Sequence, residues 1–382
     1  MEVLMELECE KNHLVQALGV VSRAINPRSP LPILSHVLFV CQGDQLSCTA
    51  TDLDFGVVIS VGASALDSGS VACPARLLND IVAKLPGAPV RLKANADGRL
   101  HIHCGRSKFE ISTLPAEEFP GIPQPGELPQ VGAAQRSLKG AIRRVTFATA
   151  SSEESRAVMT GVYTHIEGSQ LTLVATDGRR MAYHELTIDN PDGLQVQAIV
   201  PGRAMLELSR LLGDTEEPVY FSLAQGQFYC SIGNVSMHSR LLEGVFPDYR
   251  RVLPQSFQRF ARVGRESLLG AIARMLVVAQ EKQSPNLIVM DVEGDSMTLS
   301  ANTPDVGVAQ EEVAVVYEGE PLKIAFNGKY VVDALSVLDC EEVEFDLQDD
   351  TRSGVIRPYG QTDYKYVVMP VRLREVVEEA VV

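Results

Sequence analysis

The chain has 382 residues, 45% of them apolar and 22% charged, and a formal charge of −15 at pH 7. That length is too great for one ordinary core and predicts two or three domains, while the composition excludes a disordered chain and a membrane-spanning one. The acidic total argues against nucleic acid as a partner unless one surface departs in sign from the rest.

Seven scattered cysteines, with no C-x-x-C pair, speak against a disulfide framework and against a zinc ribbon. The N-terminal stretch MEVLMELECEKN is acidic where a signal peptide is basic and then apolar, so a cytoplasmic protein is expected.

Taken in order, the chain predicts an amphipathic helix over 10–24, an alternating strand Leu46–Asp52, and a helix over 74–87 opened by Pro74 and Arg76. The cluster His101, His103, Cys104 follows. In a strand its two histidines share a face and the cysteine points away, so an ordinary edge strand is favoured over a metal site. A strand FEISTLPAEEFP then runs into the turn-rich stretch Pro120–Pro129. The next third repeats the series: a basic helix over 136–150, a strand Leu171–Asp177, a helix over 201–214 opened by Pro201 and Arg203, and a strand MHSRLLEGVFP before the linker-like Pro247–Pro254. The last third has a helix over 264–279, a strand Met297–Thr303, a helix over 327–339 opened by Asn327 and Lys329, and the strand YKYVVMP. Pro74, Pro201 and Asn327 lie 127 and 126 residues apart. A period this long marks a triplicated domain, not a solenoid. The expected architecture is α+β: three tandem similar domains over 1–128, 129–254 and 255–382, each with two helices and about eight short antiparallel strands.

The phrases SPLPILSHV, ATDGRR, FPDYRRVLP and YVVMPVRL, in this order and spacing, resemble the bacterial DNA polymerase III β-subunit family, over about residues 4–373. The resemblance implies a head-to-tail homodimer forming a ring of six domains around duplex DNA, a non-catalytic processivity factor that needs no metal or cofactor. Twelve helices about 10 Å wide enclose a bore of roughly 28 Å, whereas six leave about 9 Å, too narrow for B-DNA. The six helices carry a net charge of +6, which leaves −21 on the remainder, so a basic lining and an acidic exterior are expected.

Helix placement makes Lys139, Arg143 and Arg144 DNA-contact candidates, with Lys11, Arg23, Arg76, Lys84, Arg203, Arg210 and Lys329 as weaker ones, and the resemblance adds Arg28 and Arg156. It also implies a cleft for short peptides of polymerase and clamp loader, lined by Met159, Thr176, Gly178, Arg179, Arg180, Met181, Pro247, Arg251, Val252, Val367, Met369, Pro370, Val371 and Arg372. The plainer reading of Thr176-Asp177-Gly178 is a hairpin turn, and that of Val367–Leu373 a terminal strand and tail. For the dimer contact the resemblance points to Arg106, Lys108 and Phe109 on one side and Val277, Val278, Glu311 and Glu312 on the other, with Arg106 and Lys108 on one strand face. Two departures from the family pattern are Arg179, where histidine is usual, and the extra tail Arg374–Val382.

The competing readings are an enzyme and a DNA-free scaffold or carbohydrate-binding module built from three similar domains. No G-x-x-x-x-G-K-[ST], H-E-x-x-H, G-x-S-x-G or G-x-G-x-x-G occurs, and no acidic pair recurs beside a base in all three thirds. The acidic total suits a scaffold, but the basic helix of the second third does not.

Overall fold

A computed structural model of the chain describes residues 3–25, 29–123, 127–151, 156–254, 256–279, 286–303 and 306–372. The first third runs β1 (Val3–Cys9), α1 (Lys11–Val21), β2 (His36–Gln42), β3 (Gln45–Thr51), β4 (Phe55–Gly62), β5 (Ser64–Asp67), β6 (Gly69–Pro74), α2 (Ala75–Lys84), β7 (Val90–Asn95), β8 (Arg99–Cys104) and β9 (Ser107–Ser112). The second runs β10 (Val131–Ala134), α3 (Gln135–Thr146), β11 (Gly161–Glu167), β12 (Gln170–Thr176), β13 (Arg180–Thr187), β14 (Val196–Pro201), α4 (Gly202–Leu211), β15 (Pro218–Ala224), β16 (Gln227–Ile232) and β17 (Val235–Arg240). The third runs β18 (Arg259–Gly264), α5 (Arg265–Val278), β19 (Leu287–Glu293), β20 (Ser296–Thr303), β21 (Gly307–Glu318), β22 (Leu322–Asn327), α6 (Gly328–Ser336), β23 (Glu342–Leu347), β24 (Gly354–Pro358) and β25 (Tyr364–Val368). Each third is strand, helix, four strands, helix, three strands; β5 is the single addition, in the first. This is the triplicated α+β order expected from the repeats.

The helices are shorter at their C-termini than expected. α2 stops at Lys84 because Leu85 precedes Pro86, and the proline ring pushes the residue before it out of helical geometry (Leu85 ψ 155°). In α1 the buried residues Leu14, Ala17, Leu18 and Val21 recur at helical spacing. Each buried leucine contributes roughly 2 kcal/mol, and Leu18→Ala would cost about 2–5 kcal/mol.

The chain forms two compact units: Met1–Arg136 with Ile188–Val196 and Glu207–Leu241, and Ser137–Thr187 with Gln197–Leu206 and Leu242–Val382. The first holds a five-stranded sheet, β5-β1-β7-β8-β9, and an eight-stranded one, β10-β15-β16-β17-β4-β3-β2-β6. The second is built on twelve strands in the order β14-β11-β12-β13-β25-β24-β23-β18-β21-β20-β19-β22.

The thirds are stitched by one rule. β17, the last strand of the second third, pairs antiparallel with β4 of the first, with Val235 opposite Ile59. β25, the last strand of the third, pairs in the same way with β13 of the second, with Arg180 opposite Val368. β9, the last strand of the first third, is an outer strand of its sheet. In the third third the counterpart of β4 and β13 is β21. Its residues 307–314 pair with β20, its residues 315–318 with β18, and along 307–314 no second strand pairs with it among the described residues.

Two expectations need correction. Arg106 is not on the β9 face but in the β8–β9 turn beside Gly105 (φ +57°), because Cys104 and Ser107 already close the hairpin. Pro247–Pro254, linker-like in composition, is packed: Tyr249 is buried and its ring lies 5.7 Å from that of Tyr163, while Phe246 stacks on Tyr163 at 5.2 Å.

Candidate functional site

The β12–β13 connection is a polar turn closed on itself. Thr176 Oγ1 donates to the Arg180 carbonyl at 2.7 Å and accepts from Gly178 N–H at 3.1 Å. Asp177 Oδ1 accepts from the Arg179 and Arg180 N–H groups at 2.9 and 3.0 Å. Gly178 stands at φ +86°, and a Cβ there would sit 3.3 Å from Met159 Cε, so conformation and space both call for glycine. The Arg179 carbonyl accepts from Met369 N–H at 3.0 Å, which ties the turn to the end of β25.

Beside the turn, within the second unit, lies a cavity of about 660 Å³. It brings together Met159, Thr176, Gly178, Arg179, Arg180, Met181, Pro247, Arg251, Val252, Val367 and Met369 of the sequence expectation, plus Tyr249, Leu253, Pro254, Gln348, Thr351, Arg352 and Ser353. Pro370, Val371 and Arg372 do not line it: Val371 N–H donates to the Ala325 carbonyl at 2.8 Å and takes the chain along β22. Tyr249, Leu253 and Pro254 were within reach of sequence reasoning, since they fall inside FPDYRRVLP. The residues from Gln348 to Ser353, in the β23–β24 loop, carried no such signal. Tyr249 is the aromatic residue of the lining, and its ring packs behind the cavity 5.8 Å from that of Tyr183. Burial pushes both phenols up, and for Tyr183 the Glu185 carboxylate that accepts its hydroxyl proton adds to the effect. The walls are thioethers and aliphatic groups that can repack around an apolar ligand, and the rim is cationic. Arg251 is strongly exposed, 3.0 Å from Asp248, and Arg352 is 3.4 Å from Asp349.

The basic helix α3 buries Leu138, Ala141, Ile142 and Val145, which leaves Arg143 exposed and Lys139 half-buried on other faces. Arg144 is turned inward. Its Nη1 donates to His184 Nε2 at 3.4 Å and its guanidinium lies 6.0 Å from the Tyr364 ring centre. His184 Nδ1–H donates to the Asp363 carbonyl at 3.0 Å, which fixes the tautomer that can accept from Arg144. Burial lowers the His184 pKa, and the neighbouring Arg144 charge works in the same direction. Arg156 and Arg203 are exposed, the first at the entry to a short 3-10 turn and the second on α4. Arg28 and the tail Arg374–Val382 lie outside the described residues.

Of the remaining candidates, Lys108 and Phe109 are exposed on β9, Val277 is 72% exposed near the end of α5, and Val278 is half-buried. Glu311 is held by Arg274 of the same chain, whereas Glu312 is exposed and accepts from Ser296 Oγ at 2.7 Å. Among the described residues no group of three or more His, Cys, Asp or Glu side chains is placed to hold a metal. Among the same residues no helix is long and apolar enough to cross a membrane.

Comparison with known proteins is consistent along the whole chain. Residues 5–123, 133–248 and 250–372 match the N-terminal, central and C-terminal domains of the DNA polymerase III beta subunit. The chain is 35% identical over 370 residues to the beta sliding clamp of Vibrio cholerae, covering 97% of this chain and all of that one. It superposes on the DNA polymerase sliding clamp of Bacillus subtilis with a TM-score of 0.93 at 30% identity, covering 97% of this chain and all of the other. With the DNA polymerase III subunit beta of Pseudomonas aeruginosa the TM-score is 0.91 at 35% identity, with the same coverage.

Proposed function

The chain belongs to the DNA polymerase III beta subunit family, and from that membership we propose that it is a beta sliding clamp: a homodimeric ring that encloses duplex DNA and tethers the replicative polymerase to it, catalysing nothing itself. Its clamp domains are assigned to 1–128, 129–254 and 255–382, and its place to the cytoplasm, where that DNA lies.

The observation that carries the ring is the stitching rule. If the last strand of each third pairs with the third strand after the first helix of the third before it, β9 must find β21, and a second copy of the chain supplies it at each end. Two such heterologous contacts close a dimer.

The rule also supplies a register. Ala50 pairs with Val57 as Ala301 pairs with Ala309, so Val57 corresponds to Ala309. The β16–β17 hairpin closes at Ile232 and Val235 as β8–β9 closes at Cys104 and Ser107, so Val235 corresponds to Ser107. Val235 lies opposite Ile59. Transferred, Ser107 lies opposite the partner's Glu311, Phe109 opposite the partner's Ala309, and Arg106 faces the partner's Glu312. The positive turn and strand of one protomer thus meet the acidic stretch of the other.

Lys139, Arg143, Arg156 and Arg203, with Arg28, are assigned to phosphate contact inside the ring. Contacts of this kind hold the backbone without reading sequence and so permit sliding. Arg144 acts there only through the charge it leaves on the helix. The cavity beside the Thr176–Arg180 turn is assigned to an extended apolar peptide from polymerase or clamp loader. The test is topological. Protein loaded on nicked circular DNA should stay with it through gel filtration and be released when the circle is linearised. A scaffold or an ordinary DNA-binding protein would behave alike on both.

A further inference from the structure

Arg180 lines the cleft, yet its side chain is committed elsewhere. Nε donates to Asp177 Oδ2 at 3.0 Å, Nη1 to Asp333 Oδ2 at 2.6 Å, and Nη2 to the Phe147 carbonyl at 3.0 Å. The guanidinium also lies 4.4 Å from the centre of the Tyr330 ring and 5.6 Å from that of Phe147. One cation therefore joins three places: the cleft turn, the chain just past α3, and α6, which supplies Asp333 and Tyr330. Only the first of these touches the cavity. Resting on the cleft assignment above, we infer that Asp333 is a positioning residue for peptide capture, acting through Arg180 to hold the Thr176–Arg180 turn in its ligand-ready shape.

The physical chain is continuous. Asp333 fixes the direction of the Arg180 fork, and Arg180 fixes Asp177, whose other oxygen accepts the Arg179 and Arg180 N–H groups. Those bonds orient the Arg179 carbonyl, which accepts Met369 N–H. Met369 is a cleft wall, 44% exposed, so a shift of the Arg179 carbonyl is passed to the cavity surface. A loosened turn must be ordered again when peptide binds, and that cost is subtracted from affinity. Lysine cannot replace Arg180, because a single ammonium lacks the planar fork that spans three acceptors.

The test measures binding of a fluorescent peptide covering the clamp-attachment segment of the organism's replicative polymerase. It uses the full chain and the Asp333→Asn, Asp333→Glu, Arg180→Lys, Tyr330→Leu and Met369→Asp variants, with dimer mass and near-ultraviolet circular dichroism confirming the fold. Asp333→Asn, which keeps an acceptor oxygen but removes the charge that strengthens the bond to Arg180, should weaken binding about tenfold, and Asp333→Glu should recover most of it. On an Arg180→Lys background Asp333→Asn should add less than about twofold, because the two act as one unit. Tyr330→Leu, which leaves both charges in place, should cost about threefold and keeps the idea testable if Asp333→Asn folds poorly. Unchanged binding in Asp333→Asn or Tyr330→Leu, while Met369→Asp loses the peptide, would overturn the positioning role and leave the cleft standing. Full additivity of Asp333→Asn with Arg180→Lys would overturn it as well. Unchanged binding in Met369→Asp would remove the cleft itself.

Discussion

Truncating Phe109 tests ring closure at the point where the stitching rule places it. The side chain is 41% exposed in the single chain, and it points to the inner side of β9 together with the buried Ile111. A phenylalanine presents roughly 200 Å², so pairing β9 with the partner's β21 would cover about 80 Å² more, worth about 2 kcal/mol per seam. A head-to-tail dimer has two identical seams, so Phe109→Ala removes about 4 kcal/mol from the ring and raises the dimer Kd by about a thousandfold. Adding Val277→Asp, at a side chain 72% exposed near the end of α5 and proposed for the same seam, should cost several kcal/mol more if its carboxylate is buried there unpaired. Sedimentation equilibrium over a wide dilution range reads the dissociation constant directly, and near-ultraviolet circular dichroism reports whether the monomer stays folded. A folded Phe109→Ala protein whose dimer constant moves less than about tenfold would refute the seam.

Three further outcomes are expected. Replacing both Lys139 and Arg143 with glutamate should lower the slope of log K against log salt for DNA by about one per lost phosphate contact, with dimer mass unchanged, whereas Arg144→Glu should lower the melting temperature, because Arg144 is bound to buried His184. Gly178→Ala should cost about 1–2 kcal/mol through its left-handed backbone and the crowding of Met159, measured as a lower melting temperature and weaker peptide binding. For pH, burial holds the folded His184 pKa below its ordinary 6.5, so near and below that value the unfolded chain takes up a proton that the folded one refuses. The stability this gives is complete above the unfolded pKa and is lost as pH falls through the folded one, so His184→Gln should flatten the fall in melting temperature as pH drops below about 7.

Much of this was legible in the sequence because the repeat is carried by backbone-directing residues. Pro74, Pro201 and Asn327 mark helix starts by geometry, and alternation in Leu46–Thr51 and Leu171–Thr176 marks strands, so element order followed from local rules. The cleft residues on β13, β25 and the FPDYRRVLP segment were legible through family phrases. The β23–β24 loop was not, since Gln348, Thr351 and Ser353 are ordinary turn residues that reach the cavity only through tertiary packing. Side-chain commitment was equally hidden. Arg143 and Arg144 are neighbours of one type, and only the surroundings set by His184 and Tyr364 turn one inward. Arg106 was misplaced by one position because a two-residue hairpin loop leaves nothing in the composition to fix where the strand begins.

The two joints between thirds explain why one of them carries the cleft. Their backbones are held alike: Thr51 Oγ1 donates to the Phe55 carbonyl at 3.0 Å, as Thr176 does to Arg180, and Asp52 Oδ1 accepts from Phe55 N–H at 2.8 Å, as Asp177 does from Arg180. Arg240 N–H donates to the Asp54 carbonyl at 2.7 Å, where Met369 N–H donates to Arg179. What differs most is the second pair beyond the turn, after Phe55–Ser239 in one joint and Arg180–Val368 in the other. In one joint Gly56 lies opposite His238, and the imidazole stands 2.1 Å from where a Cβ on residue 56 would be, filling that space. In the other Met181 lies opposite Val367, and both line the cavity. A glycine–histidine pair closes the frame over itself, while a methionine–valine pair leaves an apolar wall against which another chain can lie. The Arg180–Asp333 bond belongs to the second joint alone, because the matching position in the first is Phe55, which has no charge to anchor. The same turn thus recurs at both joints, and the residues at 55, 56 and 238, against 180, 181 and 367, set the second joint apart as the proposed peptide site.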